Sequence, residues 1–205
     1  VGSGSVAPTK SAVSLEKLAL ESGFPEPLIE FGKAGAAERA SLLTVLQNYR
    51  QHFQEPAVTQ DPLDEFVQFL ERYPETAWKG SLRLNLGLLY RTYGYNRKSM
   101  DSLHIAWDCL KGSQDAKAMA LANRALGEYC ITLSYLGRCE DLKAALLESK
   151  GRKLQGASTE LIAGATEALE HMKHYPQLSF RCGPLALAKL VPYSLPAEPL
   201  STQAR

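Results

Sequence analysis

The chain has 205 residues, 45% of them hydrophobic, and a formal net charge of +1. That is enough apolar content for one repeat domain or a modest globular core, and too little net charge for the chain as a whole to bind nucleic acid. No apolar run approaches the roughly 18 residues that a membrane-crossing helix needs, so no membrane span is expected. The charge is uneven: residues 1–75 carry six basic against eleven acidic side chains, and residues 76–205 carry seventeen against eleven. Opposite signs at the two ends can orient a charged partner, although ordinary surface variation gives the same pattern. The four cysteines, Cys109, Cys130, Cys139 and Cys182, include no C-x-x-C pair and no zinc spacing with histidine. No cofactor or metal is expected. Cys109 and Cys130 sit in apolar helical patterns, where a free cysteine behaves as a small buried hydrophobe.

In chain order, Val1-Gly2-Ser3-Gly4-Ser5 lacks the basic start and apolar core of a signal peptide. Residues 1–13 read as a linker or cloning scar, and the missing initiating Met suggests a piece of a longer protein. A short helix around Leu15 to Leu20 opens a helical domain over residues 14–175 as its amino-terminal cap. A stripe at i, i+4, i+7, i+11 then appears as Leu42, Leu46, Tyr49 and Phe53. It recurs forty residues on as Leu82, Leu86, Leu89 and Tyr93, and again as Ala122, Leu126, Tyr129 and Leu133. A weaker fourth copy, Leu161, Ala165, Ala168 and Met172, follows at a shift of thirty-nine. This spacing puts each set on one helix face.

Second helices lie between these. Asp61-Pro62 reads as a helix start, with Phe66, Phe69, Leu70 and Tyr73 as the apolar face and Pro74 as the stop. Asn96 opens the next, with Met100, Leu103, Ala106, Trp107 and Leu110 inward and Gly112 at its end. Leu142, Ala145 and Leu146 mark a third. Gly94 and Gly137 occupy the turns between paired helices. No segment alternates strictly, so no sheet is expected. The fold class is all-α, an array of antiparallel helix pairs. The basic run Lys150, Arg152, Lys153 reads as a solvated helix end. His171 and His174 share a helix face at i, i+3, but Glu170 points away from it, and a metal site is not expected.

The forty-residue period and the piece Leu86-Gly87-x-x-Tyr90, with Gly94 and Ala106 after it and Leu70-Glu71-Arg72-Tyr73-Pro74 before it, resemble the tetratricopeptide repeat. Leu126-Gly127 restates the pattern, with Cys130 at the aromatic position. The resemblance covers roughly residues 36–150 and implies an α-solenoid in which Gly87 admits the paired helix closely. It also implies a protein or peptide ligand on the first helices of the pairs. Asn85 and Asn123 would bond an extended peptide backbone there, and Arg83, Arg91 and Arg124 would add charge.

Residues 176–205 read as a further helix and a Pro-rich tail. Within them Cys182-Gly183-Pro184-Leu185-Ala186-Leu187 resembles the nucleophile segment of C39-like, papain-like cysteine peptidases. In that family the Cys begins a helix, where the dipole lowers its pKa, and a Gln a few residues upstream helps form the oxyanion hole. Cys182 would be the nucleophile and Gln177 the oxyanion residue. The family also requires a downstream His, and His52, His104, His171 and His174 all precede Cys182, so the chain alone is expected to lack peptidase activity. Three functions therefore stay open: a peptide- or protein-binding scaffold, a substrate-presenting fragment of a thiol peptidase or transferase, and a structural spacer in a larger protein.

Overall fold

The computed structural model describes residues 14–54 and 61–176. Among these residues the secondary structure is helical, with no strand. The eight helices are α1 (Leu15–Glu21), α2 (Ala36–Gln54), α3 (Asp64–Arg72), α4 (Lys79–Thr92), α5 (Asn96–Leu110), α6 (Ala116–Tyr135), α7 (Cys139–Ser149) and α8 (Ala157–His174).

Local chemistry sets several boundaries. The Asp115 carboxylate caps α6, accepting from the backbone N–H groups of Lys117 and Ala118 at 2.9 Å each. Asp61 acts earlier than expected. Its carboxylate accepts from Leu63 N–H at 3.0 Å, so Pro62 and Leu63 form a turn and α3 starts at Asp64. The turns after α4 and α6 share one design. Gly94 has φ +80° and Gly137 φ +68°, conformations that glycine adopts without steric cost. In each turn the following residue donates back across the helix end, Tyr95 N to Tyr90 O at 2.8 Å and Arg138 N to Leu133 O at 3.0 Å. Tyr93 is drawn into the first of these turns, and this expected core residue is 43% exposed.

The forty-residue equivalents Leu46, Leu86 and Leu126 are all fully buried. They belong to two hydrophobic clusters. One gathers α1, α2, α3 and one side of α4 around Phe24, Tyr49 and Phe66. The other gathers the opposite side of α4, through Leu84 and Leu88, with α5, α6, α7 and α8. Helix α4 is their common wall, and every residue from Gly80 to Tyr90 except Arg83 is buried.

Close approaches depend on glycine. A Cβ on Gly87 would stand 2.6 Å from Leu103 Cγ of α5, and the same seam carries a hydrogen bond from Ser99 Oγ to Gly87 O at 2.7 Å. A Cβ on Gly127 would meet Leu161 Cβ of α8 at 3.0 Å, so its close neighbour is α8 and not α7.

Replacing Leu86 by Ala is expected to cost about 2–5 kcal/mol, because the site is enclosed and cannot collapse freely. Gly87→Ala is expected to cost about 1–3 kcal/mol despite the better helix propensity of Ala, since Leu103 and its backbone must shift. Gly112→Ala, where a Cβ meets nothing within 4 Å, should stay within about 0.5 kcal/mol. Denaturant unfolding of the three variants checks the set, and equal stability of Gly87→Ala and Gly112→Ala would contradict the α4–α5 seam.

Candidate functional site

Between α1 and α2 the chain runs without helix over residues 24–31. Pro25 and Pro27 explain this: both have a fixed φ and no N–H, so the segment favours an extended path. It is flanked by Gly23 at φ +87° and Gly32 at φ +123°. Its backbone is bonded to α4. Glu26 N–H donates to Asn85 Oδ1 at 2.9 Å, and Ile29 N–H donates to Ser81 Oγ at 3.1 Å. Ser81 Oγ donates in turn to Ile29 O at 2.8 Å, and Phe31 N–H donates to Ala77 O at 2.8 Å. The side chains divide between the two clusters: Phe24 and Leu28 join the α1–α4 core, while Ile29 and Phe31 pack against the α4–α8 core.

Asn85 is thus fully buried, contrary to its expected place on an outward face. Its amide also donates to Ser81 O at 2.9 Å, so both ends of the side chain are used within the chain. Asn123 is likewise buried rather than outward. It accepts from Arg152 Nε at 2.8 Å and donates to Lys153 O at 3.1 Å, fixing the loop before α8. Arg152 also lies over the Trp107 ring at 4.6 Å and donates to Lys111 O at 3.3 Å. The basic run is therefore a clamp across α5 and α6 as well as a helix end. A cavity of about 300 Å³ beside it is lined by residues including Met119, Asn123 and Lys153.

Arg91 and Arg124 converge. Glu128 of α6 is 2% exposed, and its carboxylate pairs with Arg91 on one oxygen and with Arg124 Nη2 on the other at 2.8 Å. Arg124 Nε then stands 3.1 Å from Glu26 Oε1, an ion-pair distance without the alignment of a hydrogen bond. A chain of alternating charge, Arg91–Glu128–Arg124–Glu26, thus joins α4, α6 and the extended segment. Burial pushes the Glu26 carboxyl above its ordinary range; Arg124 opposes this, and the nearby Glu128 adds to it. Glu30 behaves oppositely: the Ala34 N–H and then Arg39 hold its carboxyl below the ordinary range. Arg83 stays apart from this network. It acts electrostatically on Tyr90 and Cys109, and its buried Nε has no hydrogen-bond partner among the described residues. A cleft of about 730 Å³ is lined by residues including Leu28, Glu30, Arg39, Leu43 and Trp78.

The remaining expected chemistry is dispersed. Cys182 and Gln177 lie outside the described residues. Cys109 is exposed, a correction to its expected burial: the buried face of α5 passes through Ala106, Trp107 and Leu110 and skips it. Partial desolvation still raises its thiol pKa, while Cys130, fully buried, is pushed up to about 12. Glu170 does not point away from both histidines; it pairs with His174 at 3.1 Å and with Lys173 at 3.0 Å. Among the described residues no three His, Cys, Asp or Glu side chains are grouped to hold a metal, and no helix is long and apolar enough to cross a membrane. The residues that sequence reasoning missed are Glu26, Ser81 and Glu128. Glu128 had a signal: a lone carboxylate four residues after Arg124, where i, i+4 pairing is expected.

No protein family, curated protein or solved structure matches the chain.

A raised carboxyl pKa weakens the folded state as pH rises. Glu26 contributes its full stability below the unfolded value of 4.5, and that contribution is lost as pH rises through the folded value. Carboxyl titration by NMR should place Glu26 above 4.5 and Glu30 below it. Arg124→Gln should raise Glu26 further. A Glu26 carboxyl titrating at or below the ordinary value would mean that it is not desolvated against α6.

Proposed function

We propose that this chain is a protein- or peptide-binding helical-repeat scaffold, an array of antiparallel helix pairs of the tetratricopeptide-like kind. The array reading is supported by the burial of Leu46, Leu86 and Leu126 at a constant spacing of forty. The matching glycine turns after α4 and α6 and the approach of α5 to Gly87 support it too.

One observation carries the binding function: side chains of α4 grip a non-helical backbone segment. Asn85 and Ser81 bond the main-chain groups of Glu26 and Ile29. The resemblance assigned this task to Asn85 with a ligand in mind, and here it performs the task on residues of its own chain. Backbone recognition of this type is indifferent to most side chains, so specificity falls to flanking charges and pockets. Arg91 and Arg124 supply the charge. Their side chains are 30% and 27% exposed, so both retain faces open to a ligand carboxylate. Asn123 is engaged by Arg152 and Lys153, whereas Arg83, half-buried and with no hydrogen-bond partner for its Nε among the described residues, stays in the ligand set.

Selection of random twelve-residue peptides on the full-length chain tests this reading. Acidic, extended sequences should be enriched. Their affinity should fall about tenfold or more in Arg91→Gln or Arg124→Gln and remain unchanged in Arg138→Gln, whose partner is Asp141 at the start of α7. Absence of any enrichment over a blank surface would defeat the scaffold reading.

A further inference from the structure

We propose that residues 25–31 are a built-in occupant of the peptide-binding surface. The partner they hold off is an extended peptide of their own chemistry: a glutamate between prolines, followed by two aliphatic residues. This inference rests on the scaffold reading above and adds its ligand class and its regulation.

The segment has the features of a bound ligand. It is non-helical, and its hydrogen bonds to α4 run between main-chain N–H and C=O groups and side chains, while Leu28 packs into the α1–α4 core and Ile29 and Phe31 pack against the α4–α8 core. Its acid faces Arg124, and it is joined to the chain at both ends by glycines in the left-handed region, Gly23 and Gly32. Backbone torsion at such residues changes at little steric cost, so Gly32, beyond the last residue of the stretch, can act as a hinge. Phe24, just outside the displaced stretch, stays anchored between Tyr49 and Phe66 at ring distances of 5.9 and 5.3 Å. Release of residues 25–31 therefore leaves the ring contacts of Phe24 in place and withdraws Leu28 from the same cluster.

The occupant also fits imperfectly. Pro25 is exposed, and Glu26, Pro27, Ile29 and Glu30 are only half-buried. Glu26 is held where burial disfavours its charge, and its approach to Arg124 Nε lacks hydrogen-bond alignment. A peptide in trans that places a carboxylate in line with Arg124 gains what Glu26 forgoes. Two prolines reduce the ordering cost for either occupant, because an extended conformation is already favoured in solution. A tethered competitor of this type lowers the apparent affinity for a partner in proportion to the fraction of time the surface is free. Weakening the tethered copy therefore tightens the partner.

The experiment uses the full-length chain and a labelled peptide with the sequence of residues 22–33, followed by fluorescence anisotropy. In Glu26→Lys the occupant carries a charge that Arg124 repels, while Phe24 and Leu28 remain. That variant is expected to bind the peptide at least tenfold more tightly than the wild-type chain. A peptide with lysine at the position of Glu26 should lose this gain. Equal affinity of the two chains, or binding by neither, overturns the proposal. Hydrogen exchange on the wild-type chain gives a second reading that needs no variant. The amides of Glu26, Ile29 and Phe31 should exchange through local opening, at least a hundredfold faster than the amide of Leu86 in α4. Exchange of both sets only through global unfolding would make the segment a fixed part of the core and overturn the inference. The two readings fail separately: if selected peptides bind and the residue 22–33 peptide does not displace them, only the built-in occupant is excluded.

Discussion

The fold depends on covering one helix from every side. Between Gly80 and Tyr90, α4 exposes only part of Arg83, so water must be excluded on each face by a different neighbour. The residues sort into stripes by who covers them. Leu82, Leu86 and Leu89 meet the cluster of α1–α3, while Leu84 and Leu88 meet that of α5–α8. Gly80 and Gly87, seven apart, admit Leu110 and Leu103 of α5. Ser81 and Asn85, four apart, receive the extended segment. The polar stripe is essential because a non-helical backbone brought against a buried helix carries N–H and C=O groups that need partners. Apolar side chains at positions 81 and 85 would leave Glu26 and Ile29 unpaired.

The same demand explains the charge chain. Glu128 lies within a helix face otherwise made of Ala125, Leu121 and Thr132, and a lone carboxylate there would be costly. Two guanidinium groups from different helices neutralise it, and the second is shared with Glu26. Pairs of this kind contribute little net stability but penalise wrong arrangements, since any misplacement of α6 against α4 strands a charge. They fix which surface of α6 meets α4 and the extended segment.

The stripe Leu46, Leu86, Leu126 and the turn glycines Gly94 and Gly137 were legible in the sequence because each rests on a short-range rule of period or backbone conformation. Gly87 was legible for the same reason. What escaped depended on partners distant along the chain. Asn85 was placed outward because a single-face reading of a helix leaves polar residues to solvent, and between Gly80 and Tyr90 only Arg83 of α4 reaches solvent. Residues 24–31 have neither helical nor strand periodicity, so nothing local marked Phe24 and Leu28 as buried. Cys109 was assigned to the core because it lies within the apolar helical pattern of α5, whereas the buried face of α5 skips it. Arg152 was read as a surface charge because its task, stacking on Trp107 and holding Asn123, joins three separate parts of the chain.

The distance along the chain between the extended segment and its receptors also governs how the molecule is made. Glu26 is 59 residues upstream of Asn85, and its partner Arg124 follows far later still. On a ribosome, residues 24–31 leave the exit tunnel well before α4 exists and longer before α6 does. They must wait, unpaired, through the synthesis of most of the domain, since contacts so distant in sequence form only after the intervening chain has been delivered. The two prolines suit that wait. They keep the segment from being absorbed into α1 or α2 as a longer helix, and they deprive it of the regular N–H row by which exposed strands pair with one another.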